Sequence, residues 1–385
     1  MSIIPENSGR FFPFHPSEEK SWLPYWIALS LVPRFSKMRL KCLAEFCEFD
    51  FEHIFRLGDD TLQGLGLDEE QIQAIKQFPN QDIERVQNWL SQDSGHFALT
   101  YHHPKYPHSL REISSPPLVI YGVGNVERLH QPQLAVVGSR NPTEAGKRLA
   151  FDFAKALTEL GCGVTSGLAL GIDSFAHKGA LANDANTIAV LGSGIDVCYP
   201  KRNNALFANI VNQGGCIVSE FLPGTRPLSH HFPRRNRMVS GLSLGTLVVE
   251  AAIKSGSLIT AYYALQQNRE VFAIPGSVNN PLTQGGHHLI KQGAKLVESV
   301  GDILEEFSFF TNKQGSKPSK NIQKSEDQSL ALDPLLDSVD YEATSVDLVA
   351  RRSGLPISVV LTRLLEYELR GLVSSVPGGY VKLGD

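Results

Sequence analysis

Long apolar runs are missing from these 385 residues. None approaches the ~18 apolar residues that a membrane-spanning helix needs, so an integral membrane protein is not expected. The first sixteen residues have neither a basic start nor an apolar core, and no secretory signal is expected. Cysteine is scarce: Cys42, Cys47, Cys162, Cys198 and Cys216 are an odd number and form no Cys-x-x-Cys pair. That argues against a disulfide framework and for reduced, buried thiols in a cytoplasmic protein. Histidines occur side by side at 102–103, 230–231 and 287–288, but without a carboxylate at a spacing such as His-Glu-x-x-His. Neighbours on a strand also point to opposite faces, so no metal site is expected. Two nucleotide signatures are incomplete as well. After Gly192-Ser-Gly194, Val197 stands where a dinucleotide fingerprint needs its third glycine. Before Gly146-Lys147, Asn141 replaces the Walker glycine, and Arg148 replaces its Ser/Thr. No cofactor is expected, and ATP hydrolysis is not.

Charge is short on the positive side, with a net −4, but the deficit is uneven. Residues 1–95 carry nine basic and fifteen acidic side chains, whereas residues 133–307 carry fifteen basic and thirteen acidic ones. Bulk charge therefore does not exclude a polyanionic partner. Length suggests two or three domains, and 42% apolar content suffices for ordinary globular cores.

The stretch from Leu134 to Ala294 is the organised part. Four times an apolar run ends in a glycine turn. Leu134–Val137 leads into Gly138-Ser139-Arg140, and Cys162–Thr165 into Ser166-Gly167 and on to Gly171. Thr187–Leu191 leads into Gly192-Ser193-Gly194, and Thr246–Glu250 towards Ser255-Gly256-Ser257. Segments of helical period, such as Glu144 to Leu160, lie between the runs. Short continuous apolar strands alternating with helices predict an α/β fold, an extended Rossmann-like parallel sheet covered on both faces. Ligands of such sheets sit beyond the carboxyl ends of the strands, where all four turns fall. Glycine there lets backbone N–H groups approach an anion, and the next helix N-terminus adds positive charge. Arg140, Lys201, Arg202, Arg234, Arg235 and Arg237 lie at or after these turns, with Asn236 among them. Guanidinium forks match phosphate, so a phosphate-binding surface is expected. Tyr199 or Phe207 would be at hand to stack a base, with Phe207 the better candidate for core.

The flanks read differently. Residues 1–20 are expected to be poorly ordered and 21–95 to form a small helical domain. Thr61 to Leu67 resembles the hairpin of a helix-hairpin-helix module. Asp68-Glu69-Glu70-Gln71 reads as its N-cap and acidic first turn, and the hairpin serves either packing or a phosphate. Residues 96–307 hold the Rossmann-like domain. They begin with a Pro- and aromatic-rich junction, and Leu118–Tyr121 reads as an added strand. Residues 308–333 form a linker rich in Lys, Ser, Asn and Gln, and residues 334–385 follow as two helices around Gly354 and a hairpin. That is a winged-helix pattern. Its second helix carries Glu366 and Glu368 beside Arg363 and Arg370, which favours protein contact or stabilisation over groove reading.

The motifs carry a resemblance. They are Gly138-Ser139-Arg140, Ser166 to His177, Ala189 to Pro200, Phe232 to Arg237, Ser255 to Thr260 and Val271 to Gly276. In this order they resemble the DNA-processing protein A (DprA/Smf) family over residues 99–307. Asn141 to Gly146 and Asn268 depart from the family pattern. The resemblance implies a single-stranded DNA-binding recombination mediator of natural transformation, without catalysis. Such a protein shields incoming DNA and helps load the RecA recombinase. It also implies a homodimer through the central domains, for which Tyr262, Leu289 and Ile290 are the expected contacts. The alternative is a Rossmann-like nucleotide hydrolase of the phosphoribohydrolase kind, with Glu220 or Glu250 as its carboxylate.

Overall fold

The computed structural model describes residues 19–307, 335–340 and 343–382. The expected linker at 308–333 lies outside them, as does nearly all of the expected disordered N-terminus at 1–20. Six helices come first: α1 (Glu19–Ser30), α2 (Lys37–Phe46), α3 (Phe51–Ile54), α4 (Asp59–Gly64), α5 (Glu69–Lys76) and α6 (Asn80–Gln92). Asp68 caps α5 as the sequence suggests, in a reciprocal capping box with Gln71. Between α4 and α5, Gly66 takes a φ of 86°, while Leu62 and Leu67 are buried on either side. Asp68 and Glu70 both hold Arg34, at 3.1 and 2.8 Å. The hairpin packs, and carboxylates occupy its rim.

The large sheet has nine strands. They and their helices run β1 (His96–Thr100), α7 (His108–Arg111), β2 (Val119–Gly124), β3 (Gln133–Val137), α8 (Glu144–Glu159), β4 (Gly163–Ser166), α9 (Ile172–Leu181) and β5 (Thr187–Val190). Then come α10 (Asn204–Asn212), β6 (Cys216–Ser219), α11 (His231–Gly241), β7 (Gly245–Val248), α12 (Ser257–Gln266), β8 (Glu270–Ala273), α13 (Gln284–Lys291), β9 (Lys295–Leu296) and α14 (Val300–Leu304). The order across the sheet is β1-β2-β6-β5-β4-β3-β7-β8-β9. All pairings are parallel except β1 with β2 and β2 with β6. Residues of β3 to β7 are buried throughout, as a sheet covered on both faces requires. The chain builds outward from β3 to β6, then returns to lay β7 on the other side of β3. That reversal opens a crevice at the carboxyl ends of β3 and β7.

Trp26, Phe51 and Trp89 from the first helices share one continuous core with Ile120, Ile188 and Val218 of the sheet. Helices and sheet accordingly form one compact unit, and the C-terminal residues form another. Asn268, after α12, stands in the left-handed region at φ 55°, which asparagine tolerates better than most residues. The second unit comprises α15 (Val346–Ser353), α16 (Ile357–Leu369), β10 (Val373–Val376) and β11 (Gly379–Lys382). Gly354 ends α15 at φ 68°, and Val349, Val360, Leu364, Tyr367 and Val373 form the core. The expected winged helix is therefore present. Among the described residues no helix is long and apolar enough to cross a membrane.

Candidate nucleic-acid interface

The switch-point crevice has a volume of about 730 Å³. Gly138, Ser139 and Arg140 line it after β3, and Gly167, Ala169 and Asp173 after β4. Phe232, Arg235 and Asn236 come from α11, and Lys254, Gly256 and Ser257 from the approach to α12.

The first two turns interlock. Ser139 donates its N–H to Glu250 O at 2.6 Å and accepts the Ile172 N–H on its own carbonyl at 3.1 Å. Gly171, at φ 76°, must lack a side chain, because a Cβ there would sit 2.3 Å from Ser139 O. Arg140 is thereby held outward and exposed, its guanidinium 5.9 Å from the Phe232 ring centroid. Tyr199, 48% exposed, meets the same ring at 5.5 Å. Phe207 is half-buried against the core.

Beneath this rim lies a buried, hydrogen-bonded clamp. Asp173 Oδ2 accepts the N–H groups of Gly167 at 3.1 Å and Ala169 at 3.3 Å. Arg235 donates to Gly167 O at 2.6 Å and also to Val190 O. Burial raises the Asp173 carboxyl, against the pull of Arg235 and of the two N–H donors. Burial lowers Arg235 to about 10, which leaves it charged at neutral pH. Asn203 Nδ2 adds bonds to Leu168 O at 2.8 Å and Ala169 O at 3.2 Å.

Several expected contacts must be corrected. The Gly167 N–H is engaged by Asp173 and the Gly194 N–H by Thr225 O at 2.9 Å, so these turns do not offer those donors to an anion. Gly192 makes room for Phe232, 2.8 Å from where its Cβ would be, and Ser166 Oγ donates to Val136 O at 2.7 Å. Arg235 and Arg237 are only 4% and 8% exposed. Arg234 and Arg237 both pair with Glu220, at 2.8 and 2.5 Å, along a second cavity of about 780 Å³. A helix presents three arginines in four positions to different sides, and α11 gives the crevice only one of them. Lys201 and Arg202 stay exposed on the turn after Pro200, beside Tyr199 but outside the crevice lining. Gly256 is exposed, and Ser257 opens α12 with its N–H on Ser255 Oγ at 3.3 Å. Lys254, exposed at the rim, was not singled out from the sequence; its place two residues before Gly256 was the available signal.

Glu220 is committed to two arginines, and the Glu250 carboxylate packs against α8, 2.4 Å from where a Gly146 Cβ would lie. Among the described residues no group of three His, Cys, Asp or Glu could hold a metal ion. Of the expected dimer contacts, Tyr262 is 40% exposed and Ile290 half-buried, but Leu289 is only 1% exposed. Leu289 belongs to the core under α13 and is not available to a partner.

A doubly wound sheet with a cation-rimmed switch-point crevice, in a chain that also carries a winged helix, defines a Rossmann-like class of proteins. The chain belongs to the DNA recombination-mediator protein A family, whose model matches residues 97–308, with a DprA winged helix domain over 319–379. It is 45% identical over 325 residues to Protein Smf of Escherichia coli K12, covering 84% of this chain and 87% of that one. It is 46% identical over 204 residues to DNA processing protein DprA of Streptococcus pneumoniae R6, 53% and 72% of the two chains. The X-ray structure of Streptococcus pneumoniae DprA superposes with a TM-score of 0.64 at 35% identity, over 74% of this chain and 98% of that one. DNA processing protein A of Helicobacter pylori, whose structure concerns its single-stranded DNA binding mode, gives 0.50 at 28% identity, over 56% and 96%.

Proposed function

We propose that this chain binds single-stranded DNA at the crevice, shields incoming strands in natural transformation and helps load the RecA recombinase onto them. In this reading it acts in the cytoplasm as a homodimer of central domains, with no catalysis of its own. The observation that carries it is the set of exposed cations, Arg140, Lys201, Arg202 and Lys254, around a crevice whose floor is rigidly hydrogen-bonded. Those four side chains neutralise phosphates, and exposed Tyr199 beside Phe232 supplies a face on which a base stacks. Contacts to backbone and ring faces tolerate any sequence. The single-stranded DNA binding of the Helicobacter pylori relative supports the choice of ligand. Exposed Tyr262 and Leu265 on α12 supply the apolar surface for a second protomer.

A gel shift of the full chain with single- and double-stranded oligonucleotides, beside a nucleotide-hydrolysis assay, tests the proposal. Tighter binding of the single strand and no hydrolysis are expected. A clear preference for duplex, or turnover of a nucleotide, overturns it.

A further inference from the structure

The second cavity, of about 780 Å³, lies wholly within the first compact unit. Residues 29–36, from the end of α1 to the cap of α2, line one part of it, and the stretch 113–119 before β2 lines another. Glu220 after β6, Arg234 and Arg237 of α11, and Gln267 after α12 give it a polar end. There Glu220 Oε2 holds Arg234 at 2.8 Å and Arg237 at 2.5 Å, whereas Glu220 Oε1 is buried and accepts no hydrogen bond among the described residues. Gln267 donates Nε2 to Arg237 O at 3.0 Å, and its Oε1 is buried with no donor either. Buried acceptors are nearly always satisfied, so two of them on one cavity call for a donor. One carboxylate also faces two guanidinium groups, which leaves positive charge in excess, and the Arg234 side chain is 56% exposed. We propose that this cavity binds a free α-amino acid with an apolar side chain, its ammonium donating to Glu220 and Gln267 and its carboxylate pairing with Arg234.

The spacing of the groups selects this chemistry. Arg234 and Glu220 touch each other, so a ligand that serves both must carry its donor and its anion on neighbouring atoms. An α-amino acid does so through a single carbon. A nucleotide does not, because its sugar separates the base nitrogens from the phosphate. A simple anion leaves both acceptors without donors, and a simple amine leaves the excess charge unmatched. Arg34, on another wall, is already matched by Asp68 and Glu70. Phe35, Ile113, Leu118 and Tyr263 continue the lining with apolar surface, which suits an apolar side chain, and the volume is that of a small-molecule site. An extended peptide is a poor occupant. Pro116 and Pro117 have no N–H, and the carbonyls of Ser115 and Pro117 already accept from Arg237 and from the Tyr106 hydroxyl.

Isothermal titration of the full chain with L-phenylalanine tests this, with phenylacetate, phenethylamine and AMP as competitors. Saturable binding of L-phenylalanine at millimolar concentration or below is expected. Phenylacetate lacks the ammonium and phenethylamine the carboxylate, so each should compete about tenfold more weakly or worse. AMP should not compete. Arg234→Ala, at an exposed position that spares the fold, should weaken L-phenylalanine about tenfold and leave phenethylamine unchanged. Gln267→Leu should weaken both. No saturable binding of L-phenylalanine, competition by phenylacetate or AMP on equal terms with it, or an affinity that Arg234→Ala leaves unchanged, each overturns the proposal.

Discussion

Arg140→Ala is the sharpest probe of the crevice, because the structure changes how many cations ought to count. The sequence offers six basic residues in its motifs, of which Arg235 and Arg237 are buried and Arg234 lies with Glu220 in the other cavity. Lys254 joins Arg140, Lys201 and Arg202, making four exposed cations at or beside the crevice. Each phosphate neutralised on a single strand contributes about −0.7 to the slope of log affinity against log salt. Four cations give a slope of about −2.8 per protomer, and raising salt from about 50 to about 200 mM should weaken binding about 50-fold. Six would give about −4.2 and a loss of about 300-fold. Arg140→Ala should lower the slope to about −2.1, three quarters of the parent's. That ratio does not depend on how many protomers share a strand. Fluorescence anisotropy of a labelled oligonucleotide across a salt series measures it. Arg140 is exposed, so the variant should fold as the parent does. An unchanged slope in Arg140→Ala, or an equal flattening by Arg234→Ala, would refute the assignment of the crevice as the phosphate track.

Other consequences follow from the buried groups. Asp173→Ala leaves the N–H groups of Gly167 and Ala169 without their acceptor, and should cost about 1–3 kcal/mol for each in urea unfolding; a loss below about 1 kcal/mol would mean that the clamp is not structural. His177 is fully buried, with Nδ1 2.8 Å from Thr187 Oγ1, and burial lowers it to about 3. Its folded-state value lies below the ordinary one of about 6.5, so its contribution is intact above that pH and lost on acidification towards 3. His177→Asn should remove this share of the acid sensitivity, read as the difference between parent and variant in unfolding free energy across the window. Leu289→Glu should unfold the protein, because it buries a carboxylate in the core under α13. Tyr262→Glu should instead leave the melting temperature nearly unchanged and give a monomer in light scattering where the parent gives the proposed homodimer; a dimer that survives it would move the interface away from α12.

What the sequence alone determined is local. The runs before Gly138, Gly167 and Gly192 are β3, β4 and β5, because a buried parallel strand needs a continuous apolar stretch. Asp68 three residues before Gln71 encodes the cap of α5, and Gly354 encodes the break between α15 and α16. Each of these depends on neighbours a few residues away. The His96–Thr100 stretch, by contrast, reads only as part of a junction and is β1, because its strand character comes from pairing with β2, 19 to 27 positions on.

Tertiary structure decided the rest. Composition cannot tell that Arg234 and Arg237 turn to Glu220 while Arg235 turns to the carbonyls of Gly167 and Val190. The roll of α11 about its own axis selects those partners, and packing against neighbours far away in the chain sets that roll. Nor can a glycine turn announce whether its N–H groups are free; Thr225, 31 positions on, reaches that of Gly194 only once the sheet has assembled. Leu289 follows the same rule. Its helical pattern marks an apolar face, but only the packed α13 shows that this face is spent inside the protomer.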